Sequence, residues 1–122
     1  MSIHFDEDKS DRLISIQMAS TDIDPEYITK QLYEAVQRQK VCGVTLLNEP
    51  GPRIVHPYGV CQSGKKIVIV CWQESSQVGK SSGYRNLSLL KCTLVEMEDR
   101  HFIVRNDFNP DDAMYADWVF HI

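Results

Sequence analysis

Two β-rich runs meet at Ser63-Gly64 and constrain the fold more than any other stretch. The first, Arg53 to Gln62, carries Ile54, Val55, Tyr58 and Val60; the second, Lys65 to Gln73, reads Lys-Lys-Ile-Val-Ile-Val-Cys-Trp-Gln. Ser-Gly between such runs predicts a hairpin, because glycine accepts the positive φ of a tight turn. A two-residue turn at Ser63-Gly64 would set Val60 against Ile67 and Tyr58 against Ile69. From Ile67 to Trp72 every position is apolar rather than every second one. Both faces of that strand should therefore be covered, as in the middle of a small barrel or beneath a helix. Pro57 removes a ladder donor, so the first strand should bend or run at an edge there.

The flanking elements read around this hairpin. Leu13 to Met18 suits a short strand or a helical turn equally. Asp24-Pro25-Glu26 is a helix start, with a capping carboxylate, a proline suited to the first turn and an acid at the positive end of the dipole. Ile28, Leu32, Ala35 and Val36 then share one face, which predicts a helix over 25–39 packed on a sheet. Val41 to Leu47 reads as a strand and Asn48 to Pro52 as a turn. Ser75 to Gly83, small and polar, reads as an exposed loop. Tyr84 to Met97 should hold one or two strands, Glu98-Asp99-Arg100 a turn, His101 to Val104 another short strand, and Asn109 to Asp112 a turn. The apolar C-terminal stretch Asp117 to Ile122 should dock as an edge strand.

A chain of 122 residues is one domain on length alone. No apolar run approaches the roughly 20 residues of a membrane helix, and the first residues lack the pattern of a secretory signal. Cys42, Cys61, Cys71 and Cys92 are widely spaced inside apolar runs, which predicts reduced core thiols in a cytoplasmic protein rather than a disulfide frame or a zinc site. Net charge is −4, unevenly distributed. Residues 1–39 balance to −4, residues 40–91 to +5 and residues 92–122 to −5. A basic middle could draw an anion to one face; equally, the acidic ends could fold over it and neutralise it.

Several side chains could carry chemistry. The Arg85 guanidinium could grip a phosphate or carboxylate with two prongs, or stand as a solvated charge at a strand end. Tyr84 and Trp72 could stack on a base, although core packing suits Trp72 better. Arg53, Lys65 and Lys66 could track phosphates, but lysines beside a turn are routinely solvated. Gly79-Lys80-Ser81 lacks the upstream glycine and the following helix of a phosphate-binding loop. His56 and His101 lie far apart without neighbouring ligands, so no metal and no cofactor are expected. No nucleophile has a legible base, and the chain is expected not to be an enzyme.

Beyond the helix the order is Arg53-Ile-Val-His-Pro57-Tyr-Gly59, an apolar strand ending Cys71-Trp72-Gln73, a Gly/Ser loop and Gly83-Tyr84-Arg85. Leu87-Ser-Leu89-Leu-Lys91, Val95, Met97, Phe102, Arg105, Phe108, Asn109 and Pro110 follow. This order resembles the small stand-alone branch of the WYL-domain family, from about Ile28 to the C-terminus. The Trp-Tyr-Leu run that names the family is replaced by Ile67-Val68-Ile69 near its place, and no helix-turn-helix precedes the matching stretch. The resemblance implies a mainly β (α+β) fold, an SH3-like or Sm-like β-barrel preceded by one amphipathic helix. Residues 1–24 would be an N-terminal extension and 25–122 a single domain. It further implies a regulatory module of bacterial or phage-associated type that binds nucleotide-like or nucleic-acid ligands. Arg85 matches the ligand-facing arginine, Lys91 a second basic position, and Arg53 the Arg-x-x-x-Pro match.

Three functions therefore stand side by side. The first is a ligand-binding module for an anionic ligand, nucleotide or single-stranded nucleic acid, seated by Arg53, Tyr84, Arg85 and Lys91. The second is a protein-interaction module or homo-oligomer built on free sheet edges. The third is a small enzyme, which lacks any legible constellation. No membrane partner is expected.

Overall fold

The computed structural model describes residues 24–76, 79 and 81–122. The reading of Leu13 to Met18 as strand or helical turn lies outside them. The remaining order is one helix, α1 (Pro25–Arg38), and six strands: β1 (Lys40–Leu46), β2 (Arg53–Ser63), β3 (Lys66–Ser76), β4 (Gly83–Ser88), β5 (Cys92–His101) and β6 (Asp117–His121). A 3-10 turn, Leu89–Lys91, joins β4 to β5.

The helix starts as its sequence dictates. Asp24 stays extended, and its Oδ1 accepts hydrogen bonds from the Glu26 and Tyr27 amides at 3.0 and 3.2 Å. Ile28, Leu32, Ala35 and Val36 are all buried. Gln39 ends the helix one residue short of the expected bound, in the left-handed region at φ 53, and turns the chain directly into β1.

All strand pairs are antiparallel, in the order β4-β3-β2-β1-β5, with β6 added beside β2. Strand β2 makes this possible by changing partner along one edge. Arg53 to Val55 pair with β1, and Gly59 to Gln62 pair with β6. Pro57 lies between the two pairings, beside a bulge against β3, where a missing amide costs least. Gly59 is required at this junction: a Cβ there would stand 2.5 Å from the Phe120 carbonyl oxygen and 2.7 Å from the Trp118 ring.

The mainly β fold with one packed helix agrees with the sequence; a closed barrel is not what forms. Strands β4 and β5 are the two ends of the pairing order, so the sheet is open. It is nevertheless strongly curled. A flat sheet would set β4 and β5, four strand spacings apart, about 19 Å from each other. Three residues of 3-10 helix rise only about 6 Å. The edges must therefore approach at this end, and the Leu47 amide, just past β1, donates to the Lys91 carbonyl at 2.8 Å.

Other boundaries moved for local reasons. The hairpin turn is Gly64-Lys65, with Ser63 opposite Lys66. Gly64 alone takes positive φ (61°), and a two-residue turn of that pattern wants glycine first, not second. Val60 consequently faces Ile69 rather than Ile67, a slip of two that keeps it on its own face, whereas Tyr58, expected against Ile69, is turned to the other face by the bulge at Pro57–Gly59. Strand β3 runs into the expected loop, Ser75 and Ser76 pairing with Ile54 and Arg53. Glu98 to Arg100 are not a turn but the end of β5. Of His101 to Val104 only His101 is strand.

The core has two layers, one on each face of β3. Ile67, Ile69 and Cys71 pack with the helix residues, Val44, Val55, Leu87 and Phe120. Val68 and Val70 pack on the other face with Val41, Tyr58 and Phe102, covered by Trp72, Phe108, Tyr115 and Trp118. This explains the uninterrupted apolar run. The Tyr58 hydroxyl accepts from the Arg105 amide at 3.1 Å, and the Trp118 indole donates to the Pro110 carbonyl at 2.9 Å. These bonds hold the irregular segment 102–116 against the second face. All four cysteines are buried and outside any disulfide, and burial pushes Cys42 and Cys71 up to about 12 and Cys92 up to about 11.

Candidate anion-binding site

Arg53 opens β2 with its side chain nearly enclosed. Its Nε and Nη2 donate to the two oxygens of Glu49 at 3.0 and 2.8 Å, and its Nη1 donates to Gln73 Oε1 at 3.1 Å. The Glu49 hydrogen bond, against the opposing cost of burial, raises its pKa above the usual arginine value. Pro50-Gly51-Pro52 bends the chain so that acid and base four residues apart close on each other. Arg53 is thus a buried ion pair rather than a free cation.

Gln73 is fully buried on β3 and passes the network onward. Its Nε2 donates to the Ser81 carbonyl at 3.0 Å. The same oxygen accepts from Arg85 Nη2 at 2.6 Å, while Arg85 Nη1 donates to the Tyr84 carbonyl at 2.8 Å. Gly83 leaves room for this folded-back fork: a Cβ there would meet Arg85 Nη1 at 2.9 Å, and its φ of +147° suits glycine. Two of the five N–H donors of Arg85 are used in these bonds, leaving three.

Arg53, Arg85 and Lys91 line one hollow of about 490 Å³ at the curled end of the sheet. Its other walls are Leu46, Leu47, Glu49, Asn86, Leu87 and Ser88. Lys91 ends the 3-10 turn and is exposed. Among the described residues no carboxylate pairs with Arg85 or Lys91. With Arg53 cancelled by Glu49, the hollow keeps two positive charges.

Tyr84 does not join this group. It faces an adjoining hollow of about 330 Å³ with Asp107, Phe108, Asn109, Asp112, Met114 and Tyr115; Arg85 and Asn86 are common to both hollows. The Tyr84 hydroxyl donates to Asp107 Oδ1 at 2.5 Å. Burial and this bond push Tyr84 up to about 12, and the bonds from Tyr84 and Arg105 hold Asp107 below the usual aspartate value. Trp72 already carries the Arg105 guanidinium 3.9 Å from its ring centre, so that face is occupied. Lys65 and Lys66 lie at the hairpin turn and line neither hollow. The sequence reading missed Glu49, Gln73, Asn86 and Ser88. Only Glu49 left a signal, an acid four residues before Arg53 across a rigid turn.

Among the described residues no three histidine, cysteine or acidic side chains gather to hold a metal ion. No helix formed by them is long and apolar enough to cross a membrane. No protein-family model, no curated protein and no solved structure matches the chain.

Proposed function

We propose that this protein is a small regulatory ligand-binding module whose anion seat is the hollow holding Arg85 and Lys91. The single observation that carries this reading is that these two cations share a hollow and that, among the described residues, neither has an acid partner. Arg85 is held in place by backbone carbonyls, so its remaining donors are pre-oriented and little is lost on binding. Arg53 serves the seat as support rather than as a ligand-facing group. Of the C-terminal acids, Asp107 lines the adjoining hollow and is taken by Tyr84 and Arg105.

A nucleotide or single-stranded nucleic acid suits the seat, since Arg85 also lines the adjoining hollow, where the rings of Tyr84, Phe108 and Tyr115 stand. This is also what the WYL resemblance implies. Fluorescence titration with nucleotides and short single-stranded oligonucleotides at low and moderate salt tests the reading. Binding that weakens with salt and is weakened further in Arg85→Ala and Lys91→Ala supports it; no binding at any salt refutes it.

A second reading rests on a separate observation. Strands β4 and β5 are both open sheet edges, and edges invite pairing with another chain. Sedimentation showing monomers at every concentration would remove self-assembly.

A further inference from the structure

We infer that the seat selects a doubly charged phosphomonoester over singly charged phosphodiesters and carboxylates. The inference rests on the anion-seat reading above. Among the described residues the charged groups lining the seat are Glu49, Arg53, Arg85 and Lys91, with no histidine. Glu49 engages Arg53 through both carboxylate oxygens, which leaves the charges of Arg85 and Lys91 to be met by the guest. A carboxylate or a bridging phosphodiester brings one negative charge, whereas a phosphomonoester brings close to two near neutral pH, with three strong acceptor oxygens.

The donors match as well. Arg85 retains three N–H groups, the Lys91 ammonium offers three more, and Asn86 and Ser88 add an amide and a hydroxyl to the lining of the hollow. Leu46, Leu47 and Leu87 also line the hollow, so the group attached to the phosphate can be apolar next to it. One further unit of charge beside two partly solvated cations is worth about tenfold in affinity.

The experiment uses the full chain at fixed ionic strength, with calorimetric or NMR titration. The probes are glycerol phosphate, sulfate, acetate, and one oligothymidylate with and without a 5′-phosphate. The monoesters should bind about tenfold more tightly than acetate, and the phosphorylated oligonucleotide more tightly than its unphosphorylated twin. Because the second phosphate ionisation lies near pH 6, monoester affinity should fall between pH 7.5 and 5.5. Sulfate keeps both charges across this range and controls for changes in the protein. Lys91→Gln, an exposed change that spares the core, should remove most of the preference. Equal affinity for monoester, acetate and unphosphorylated oligonucleotide overturns the inference while leaving an anion seat in place. Failure of every anion to bind overturns both.

Discussion

Arg53 and Lys91 read alike in the sequence, as cations flanking apolar strands, yet the fold gives them opposite roles. Arg53 is 9 % exposed and makes three side-chain hydrogen bonds, while Lys91 is exposed and makes none with its ammonium among the described residues. Replacing Arg53 by alanine removes its three side-chain hydrogen bonds to Glu49 and Gln73 from a nearly enclosed site and should cost about 3 kcal/mol of stability. Lys91→Ala should change stability by no more than about 0.5 kcal/mol. Urea denaturation of the two variants checks both values, and a stable Arg53→Ala protein would show that the ion pair is dispensable. Gly59 is a second residue whose role appears only in three dimensions. Gly59→Ala must move the backbone of β6 at Phe120, at a cost of about 2 kcal/mol or more. Hydrogen exchange should then show β6 amides opening first, and unchanged protection there would contradict the close packing.

At the scale of elements, periodicity carried most of the information. The spacing of Ile28, Leu32, Ala35 and Val36 placed the helix, and the unbroken Ile67–Trp72 run foretold a strand covered on both faces. The turn between β2 and β3 was legible in kind but not in register, because Ser63-Gly64-Lys65 permits glycine to be either the first or the second central residue. The extension of β5 through Glu98 and Arg100 was hidden for a different reason. These charges look like a turn until Glu74, distant in sequence, supplies the partner for Arg100. The link from β3 to β4 was equally invisible, since it runs through a buried amide. Gln73 joins Arg53 to the Ser81 carbonyl that also anchors Arg85. Gln73→Met takes the acceptor from Arg53 Nη1 and one of two donors from the Ser81 carbonyl, and should cost about 1–3 kcal/mol. It should also weaken anion binding severalfold by freeing the Arg85 fork. Its effect on affinity should vanish in an Arg85→Ala background, since residues acting through one another are non-additive. Full additivity in that double-mutant cycle would separate Gln73 from the seat.

At the scale of the whole molecule, curling of the sheet decides what meets what. The three residues from Leu89 to Lys91 cross from one edge strand to the other, and this brings Lys91, Arg85 and the end of β1 to a common hollow. The sequence placed Arg85 and Lys91 close along the chain but also grouped them with Tyr84. Alternation along β4 instead sends Tyr84 toward the rings of the second face, a distinction that depends on which face each hollow opens. The same folding sets the acid response. Although burial opposes it, hydrogen bonds from Arg100 and His56 hold Glu74 below the usual glutamate value, and Asp107 is likewise held low by Tyr84 and Arg105. Groups with lowered folded-state values stabilise fully above the ordinary carboxylate range and lose that contribution as pH falls through it. Melting temperature should therefore drop as pH falls below 4.5, the ordinary value for glutamate, and Glu74→Gln should flatten that drop. An unchanged pH profile in that variant would detach Glu74 from acid stability. The account as a whole stands on the seat at the curled end. Its most direct test is amide chemical-shift mapping during titration with glycerol phosphate at low salt. The account predicts saturable shifts confined to residues 46–49 and 85–91. Shifts centred on Phe108 to Tyr115, or none at all, would contradict it.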